Sequence, residues 1–238
     1  MKIKNTKVVI LCGGLGSRLV EETRIKPKPM VKIGKLPILI HIMRIYYKYG
    51  FKNFILALGY KKKFIVNYFK KTKFKEKWNI ELVDTGKKTL TAKRLSLIKD
   101  RLIQDKFFLL TYGDGVSNVS INKLINFHLK HNKTATVTAV RPPARFGELK
   151  LNRNLVSNFD EKNQINTGWI NGGFFVFSKK IFNFIPRKDS MLEREMMKNL
   201  TKKKELIAFK HNGFWQCMDT MRDKQLLNDY WKKNKSLW

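Results

Sequence analysis

Through the first 140 residues, short apolar runs alternate with amphipathic stretches of about ten residues, and this period-switching pattern restricts the fold more than any other feature. Strands are predicted at 7–11, 54–58, 80–83, 107–111 and 134–140. Helices are predicted from Pro37 through Ile38, Ile42, Ile45 and Tyr49 to the stop at Gly50, and at 62–70, 94–103 and 121–131. Strands separated by helices of this length form parallel βαβ units with right-handed crossovers. The fold class is therefore α/β, with a Rossmann-like, mostly parallel sheet flanked by helices. Beyond Pro142-Pro143 the strands shorten (148–151, 156–159, 169–177) and helices are predicted at 179–184, 190–200 and 221–231. No flexible linker divides the chain. The expectation is one domain, 1–238, in which a smaller α/β subdomain, 141–238, packs on the half formed by 1–140. The site is then expected over the carboxyl ends of the parallel strands.

Charge narrows the function classes. Among 238 residues, 50 Lys and Arg face 18 Asp and Glu, a formal charge of +32. Such an excess fits a nucleic-acid binder, an enzyme for small anions, or surface lysines with no specific task. With 43% hydrophobic and 12% aromatic residues, the chain can fill a core, which excludes disorder. The basic residues are scattered, only 11 of the 50 are Arg, and no zinc-finger spacing or basic helix is present, so no nucleic-acid partner is expected. Cys12 and Cys217 lie in apolar, strand-like surroundings without CxxC spacing, which argues against a disulfide framework or zinc site and for a reducing compartment. No apolar run approaches the roughly 20 residues that cross a bilayer, and the amino terminus lacks a signal pattern. A cytoplasmic location without membrane contact is expected.

Two segments carry chemistry. Directly after the first strand comes Gly13-Gly14-Leu15-Gly16-Ser17-Arg18. Its glycines let the backbone approach a polyanion, and Arg18 offers a planar fork to phosphate oxygens. The same glycines could serve only a tight turn, and the spacing matches neither the dinucleotide fingerprint nor a Walker A loop. In Lys26-Pro27-Lys28-Pro29-Met30 two prolines hold the chain extended and fix where Lys28 points. Lys28 is either a phosphate clamp or a solvated loop lysine.

Together, LCGGLGSRL (11–19), KPKPM (26–30) and a helix opened by Pro37 resemble the sugar-1-phosphate nucleotidyltransferases. LVDTG (82–86), TYGDGVS (111–117), TAVRPPARFGEL (138–149), WINGGFFVF (169–177) and HNGFWQCMDTMRDKQLL (211–227) are similar to the branch that couples CTP to glucose 1-phosphate. The resemblance runs in order along almost the whole chain. It implies transfer of a cytidylyl group to the sugar phosphate with release of pyrophosphate, for CDP-hexose, dideoxysugar and surface-polysaccharide synthesis. UTP, dTTP or another sugar 1-phosphate is the alternative pair. A phosphate monoester with a second pKa near 6 is already dianionic at neutral pH and needs no general base. The task is to orient two phosphates and offset their repulsion.

The resemblance also assigns roles. Asp114 and Asp219 are expected to hold Mg²⁺, Arg18 the departing pyrophosphate and Lys28 the α-phosphate. The nucleotide is expected against Leu11, Gly13, Gly14, Gly16, Ser17, Thr91 and Gly113. The sugar phosphate is expected against Gly147, Glu161, Lys162, Asn171, Gly172 and Glu193, with Trp169 and Trp215 as core or pocket wall. At Thr91-Ala92-Lys93-Arg94 the family has Thr-Gly-Gly-Arg; Asn163 replaces a proline and Leu192 a tryptophan. The stretch 68–78 is shorter than the insertion many relatives carry there. A homo-oligomer is expected.

Overall fold

The computed structural model describes residues 5–143, 148–160, 168–233 and 237–238. In chain order, β1 (Lys7–Cys12) leads through α1 (Val20–Thr23) and a 3-10 turn (Lys28–Met30) to a small hairpin, β2 (Lys32–Ile33) and β3 (Leu36–Pro37). Next come α2 (Ile38–Tyr47), β4 (Asn53–Leu58), α3 (Lys62–Lys71), β5 (Asn79–Asp84), α4 (Thr91–Leu97), β6 (Phe107–Tyr112) and β7 (Gly115–Ser117). Then follow α5 (Ile121–His131), β8 (Ala135–Val140), β9 (Glu148–Asn152), β10 (Leu155–Asp160) and β11 (Ile170–Ser178). The chain closes with α6 (Met197–Lys202), β12 (Leu206–His211), β13 (Trp215–Cys217) and α7 (Met221–Lys232).

Seven strands form one sheet in the order β12-β8-β11-β6-β1-β4-β5. Strands β6, β1, β4 and β5 run parallel, β11 runs antiparallel to both its neighbours, and β12 is parallel to β8. Strand alternation sends side chains to two cores. Val8, Ile10 and Cys12 of β1 meet Ile38, Ile42, Tyr46, Ile65 and Leu124 on one face. Val9 and Leu11 meet Ala92, Leu95, Ile98, Leu192, Met196 and Leu200 on the other. Strands buried on both faces read as continuous apolar runs, which is why β1, β4 and β6 are plain in the sequence.

The second half joins this sheet. In β11, Phe174 and Val176 enter the first core while Phe175 and Phe177 enter the second, so the strand is buried on both sides and sits between β6 and β8. With β12 added outside β8, two strands from beyond residue 141 complete the main sheet, and β9 and β10 form their own antiparallel pair. Several helices differ from expectation. The one placed at 94–103 starts at Thr91 and gives way after Leu97 to a 3-10 turn, Lys99–Arg101. The one at 179–184 is a 3-10 helix, and the one at 190–200 begins as a π-turn, Leu192–Met196, before α6. Strands β2, β3, β7, β12 and β13 were not anticipated. Among the described residues, no helix is long and apolar enough to cross a membrane.

Candidate active site

Four predicted residues converge beyond the carboxyl ends of β1 and β6. Lys28, buried with 8% of its surface exposed, donates from Nζ to Asp114 Oδ2 at 2.7 Å and to Asp219 Oδ1. Arg18 Nη1 lies 2.6 Å from the other oxygen, Asp219 Oδ2, while 73% of the Arg18 side chain faces solvent. The prolines stiffen this geometry: Pro27 is extended and Pro29 lies within the 3-10 turn that starts at Lys28, so φ is fixed on either side of the lysine.

The two aspartates meet through a pair of three-residue strands. Strand β7 follows Asp114, β13 precedes Met218 and Asp219, and the two run antiparallel with Cys217 opposite Gly115. The Met218 N–H donates to Asp114 O at 2.8 Å, closing the pairing at the end where both carboxylates emerge. Burial pushes the Asp219 carboxyl up, but the Lys28 hydrogen bond and the charges of Lys28 and Arg18 outweigh it, and its pKa falls below the ordinary value. Burial pulls Lys28 down, and the two carboxylates more than restore it, so the ammonium is held charged. Cys217 is pushed up to about 12 by burial and by the neighbouring carboxylates, so it stays a thiol. With Cys217 kept as a thiol, the two carboxylates suit a hard divalent ion, which takes one or two such groups and fills its remaining positions with phosphate oxygens and water.

Gly16 adopts φ +69°, and a Cβ there would lie 2.7 Å from Thr23 Cγ2. Leu11 is buried at the end of β1, whereas Gly14, Ser17 and Arg18 stand exposed on the rim of the loop. Gly113 donates to Leu11 O at 3.1 Å. Gly13 is fixed by a residue to which the sequence assigned no task, Arg94. Its guanidinium, 2% exposed, donates to Leu58 O (3.0 Å), Thr85 Oγ1 (2.6 Å), Gly86 O (2.8 Å) and Gly13 O (3.0 Å). A Cβ at Gly13 would lie 2.2 Å from Arg94 Cζ, and one at Gly59 2.5 Å from Nη1. The one signal for it was its place in the Thr91–Arg94 motif.

A second group gathers around Tyr112, also missed in the sequence. Asn171 Nδ2 donates to the Tyr112 hydroxyl at 3.2 Å, and Asn171 Oδ1 accepts from the Gly173 N–H at 2.9 Å. Glu193 accepts from Thr91 Oγ1 at 2.7 Å, and burial together with the Glu193 carboxylate raises the Tyr112 pKa well above its usual value. Gly172 O accepts from Trp215 Nε1 at 2.7 Å, and Trp215 packs, partly buried, against the first core. Trp169 lies under Arg141 and Lys210, at 4.9 and 5.6 Å from its ring centre. The Ala92 methyl is buried in the second core, and its N–H donates to Ser190 O. Gly147, Glu161 and Lys162 lie outside the described residues. A surface cavity of about 670 Å³, lined by Lys180, Lys202, Lys203 and Glu205, lies near the amino ends of β8 and β12 and contains none of these groups.

The nucleotidyl transferase family profile matches residues 7–232. The chain belongs to that family. This nucleotidyltransferase is 44% identical over 252 aligned positions to the glucose-1-phosphate cytidylyltransferase of Salmonella typhimurium, covering 98% of each chain. It is 41% identical, again over 98% of each, to a protein of Bacillus subtilis named "Probable glucose-1-phosphate cytidylyltransferase". Among solved structures it resembles HddC from Yersinia pseudotuberculosis with TM-score 0.73 and 25% identity, over 95% of this chain and 99% of that one.

Proposed function

We propose that this nucleotidyltransferase transfers the cytidylyl group of CTP to α-D-glucose 1-phosphate, forming CDP-glucose and pyrophosphate. The reading is carried by the convergence of Arg18, Lys28, Asp114 and Asp219 on one crevice, in a chain 44% identical, end to end, to a glucose-1-phosphate cytidylyltransferase. The residues 1–140 take the nucleotide and 141–238 the sugar phosphate. The same reading includes Mg²⁺, a homo-oligomer, a cytoplasmic location, and supply of CDP-glucose to dideoxysugar and surface-polysaccharide (O-antigen) synthesis.

Two polyanions have to meet, and the site answers with fixed positive charge. Lys28, held charged and aimed by its proline-bounded turn, neutralises the α-phosphate as the sugar phosphate oxygen attacks. The exposed fork of Arg18 takes oxygens of the departing pyrophosphate. Leu11, Gly13, Gly14, Gly16, Ser17, Thr91 and Gly113 shape the nucleotide cradle. Asn171, Gly172 and Glu193, joined through Tyr112 and Thr91, hydrogen-bond the hexose, with Gly147, Glu161 and Lys162 on its phosphate. Asp114 and Asp219 would hold Mg²⁺, which supplies further charge neutralisation at the phosphates when bound. No side chain has to remove a proton from the nucleophile.

A panel of CTP, UTP, dTTP and GTP, each with glucose 1-phosphate and with mannose 1-phosphate, assayed for pyrophosphate release, tests the reading. Turnover is expected with CTP and glucose 1-phosphate at a kcat/KM at least tenfold above any other pair. No turnover with CTP while UTP or dTTP reacts overturns it.

A further inference from the structure

Asp223 is placed where it can act on Asp219 without touching a substrate. It lies on the first turn of α7, 7% exposed. Its Oδ2 accepts from the Asp219 N–H at 3.1 Å, the Thr220 N–H at 2.9 Å and Thr220 Oγ1 at 2.9 Å. Its Oδ1 accepts from Gln216 Nε2 at 3.0 Å, and that amide also donates to Cys217 O at 2.8 Å. In return Thr220 Oγ1 accepts from the Asp223 N–H at 3.2 Å, completing a capping box.

A helix cap requires only the reciprocal Thr220–Asp223 pair. The bonds to the Asp219 N–H and to Gln216 go beyond it, and they bind the carboxylate to the residues immediately before the helix. On the opposite side, Met218 is fastened to the Asp114 peptide. Asp219 is thereby gripped from both sides, with Oδ1 turned to Lys28 and Oδ2 to Arg18. We propose that Asp223 is a positioning residue for the reaction: it orients the peptide of Asp219 so that this carboxylate can share a divalent ion with Asp114. The inference rests on the reading of Asp114 and Asp219 as the ion's ligands.

The test is Mn²⁺ binding, followed by electron paramagnetic resonance with CTP present and sugar phosphate omitted, on wild type, Asp223→Ala, Asp223→Asn and Thr220→Ala. Thermal melting and steady-state kinetics on the same variants separate stability from positioning. Asp223→Ala is expected to weaken Mn²⁺ binding at least tenfold and lower kcat 10- to 100-fold, with a smaller change in KM for CTP. The isosteric Asp223→Asn falls between and carries the test if the alanine variant does not fold. Thr220→Ala removes the cap hydroxyl and keeps the carboxylate; it is expected to lower Tm as Asp223→Ala does while holding Mn²⁺ affinity within threefold. Wild-type Mn²⁺ affinity in a folded Asp223 variant, or equal loss in Thr220→Ala, overturns the proposal and leaves the metal reading standing. A wild type that binds no Mn²⁺ with CTP overturns both.

Discussion

Arg94 shows what a single buried side chain does to its surroundings. Its guanidinium joins the ends of β1 and β4 to the turn at Thr85 and Gly86 through backbone oxygens and one hydroxyl. Lysine has no planar fork and cannot reach all four acceptors, so Arg94→Lys loses several charge-assisted hydrogen bonds at a cost of about 3 kcal/mol, although Gly13 O keeps the Tyr60 N–H and Leu58 O keeps the Thr85 N–H and hydroxyl. A Tm drop of roughly 6–12 °C is expected for a chain of this size, measured by calorimetry. Because Gly13 O loses one of its two donors, KM for the nucleotide should rise as well. At this scale the sequence marks the right glycines for an incomplete reason. Gly13 is legible as a place where the backbone approaches something closely, but the nearest thing is Arg94, 81 residues away. Lys28 is legible as an aimed lysine because proline stiffness is local; that it is aimed at two carboxylates is not.

Elements differ in how far local chemistry specifies them. Helix α5 carries a clear 3.6-residue apolar stripe and its Ser120 cap, and α2, buried nearly all round, is bounded by Pro37 and Gly50, so both are read from sequence to within a few residues. Strands β7 and β13 have three residues each and exist only because they pair with one another, so no periodicity could reveal them. Two helices bring histidines into the core. On α2, His41 Nε2 donates to Ile33 O at 3.0 Å and Nδ1 accepts from Trp238 Nε1 at 3.2 Å; on α5, His128 Nδ1 lies 2.8 Å from Thr136 Oγ1. Burial lowers both pKa values to about 4. An unfolded chain takes up these protons near pH 6.5 and the folded one does not, so stability falls as pH drops from about 6.5 towards 4, by at most about 3 kcal/mol per histidine, and is flat above about 7. Urea midpoints at pH 7.5 and 5.0 check this, and His128→Gln should reduce the difference without abolishing it, since His131 and His211 are also held below their ordinary values by burial.

The molecule as a whole carries +32, of which the crevice uses a few groups. The remaining charge acts as a diffuse field that draws anionic substrates to the surface and is screened by salt. Between 50 and 500 mM NaCl, kcat/KM for CTP is expected to fall several-fold while kcat changes less than twofold, as read from initial rates. The same scale decides the sheet. The apolar run in β11 is evident in the sequence, but its position between β6 and β8 depends on filling both cores at once. Residues beyond 141 therefore extend the first sheet as well as forming the β9–β10 pair.

From sequence alone came the α/β class, the glycine loop after the first strand, the rigid lysine turn and the identity of the two candidate aspartates. The first three rest on periodicity and backbone stiffness, which act over a few residues, whereas the two aspartates were implied by the family resemblance. Tertiary structure decided that Lys28 and Asp219, 191 residues apart, share a hydrogen bond, and that Asp223 and Arg94 hold the loops from behind. Such contacts follow from which strands lie side by side. That order is set by the burial of both faces of the sheet, a condition on the whole chain that no local segment contains.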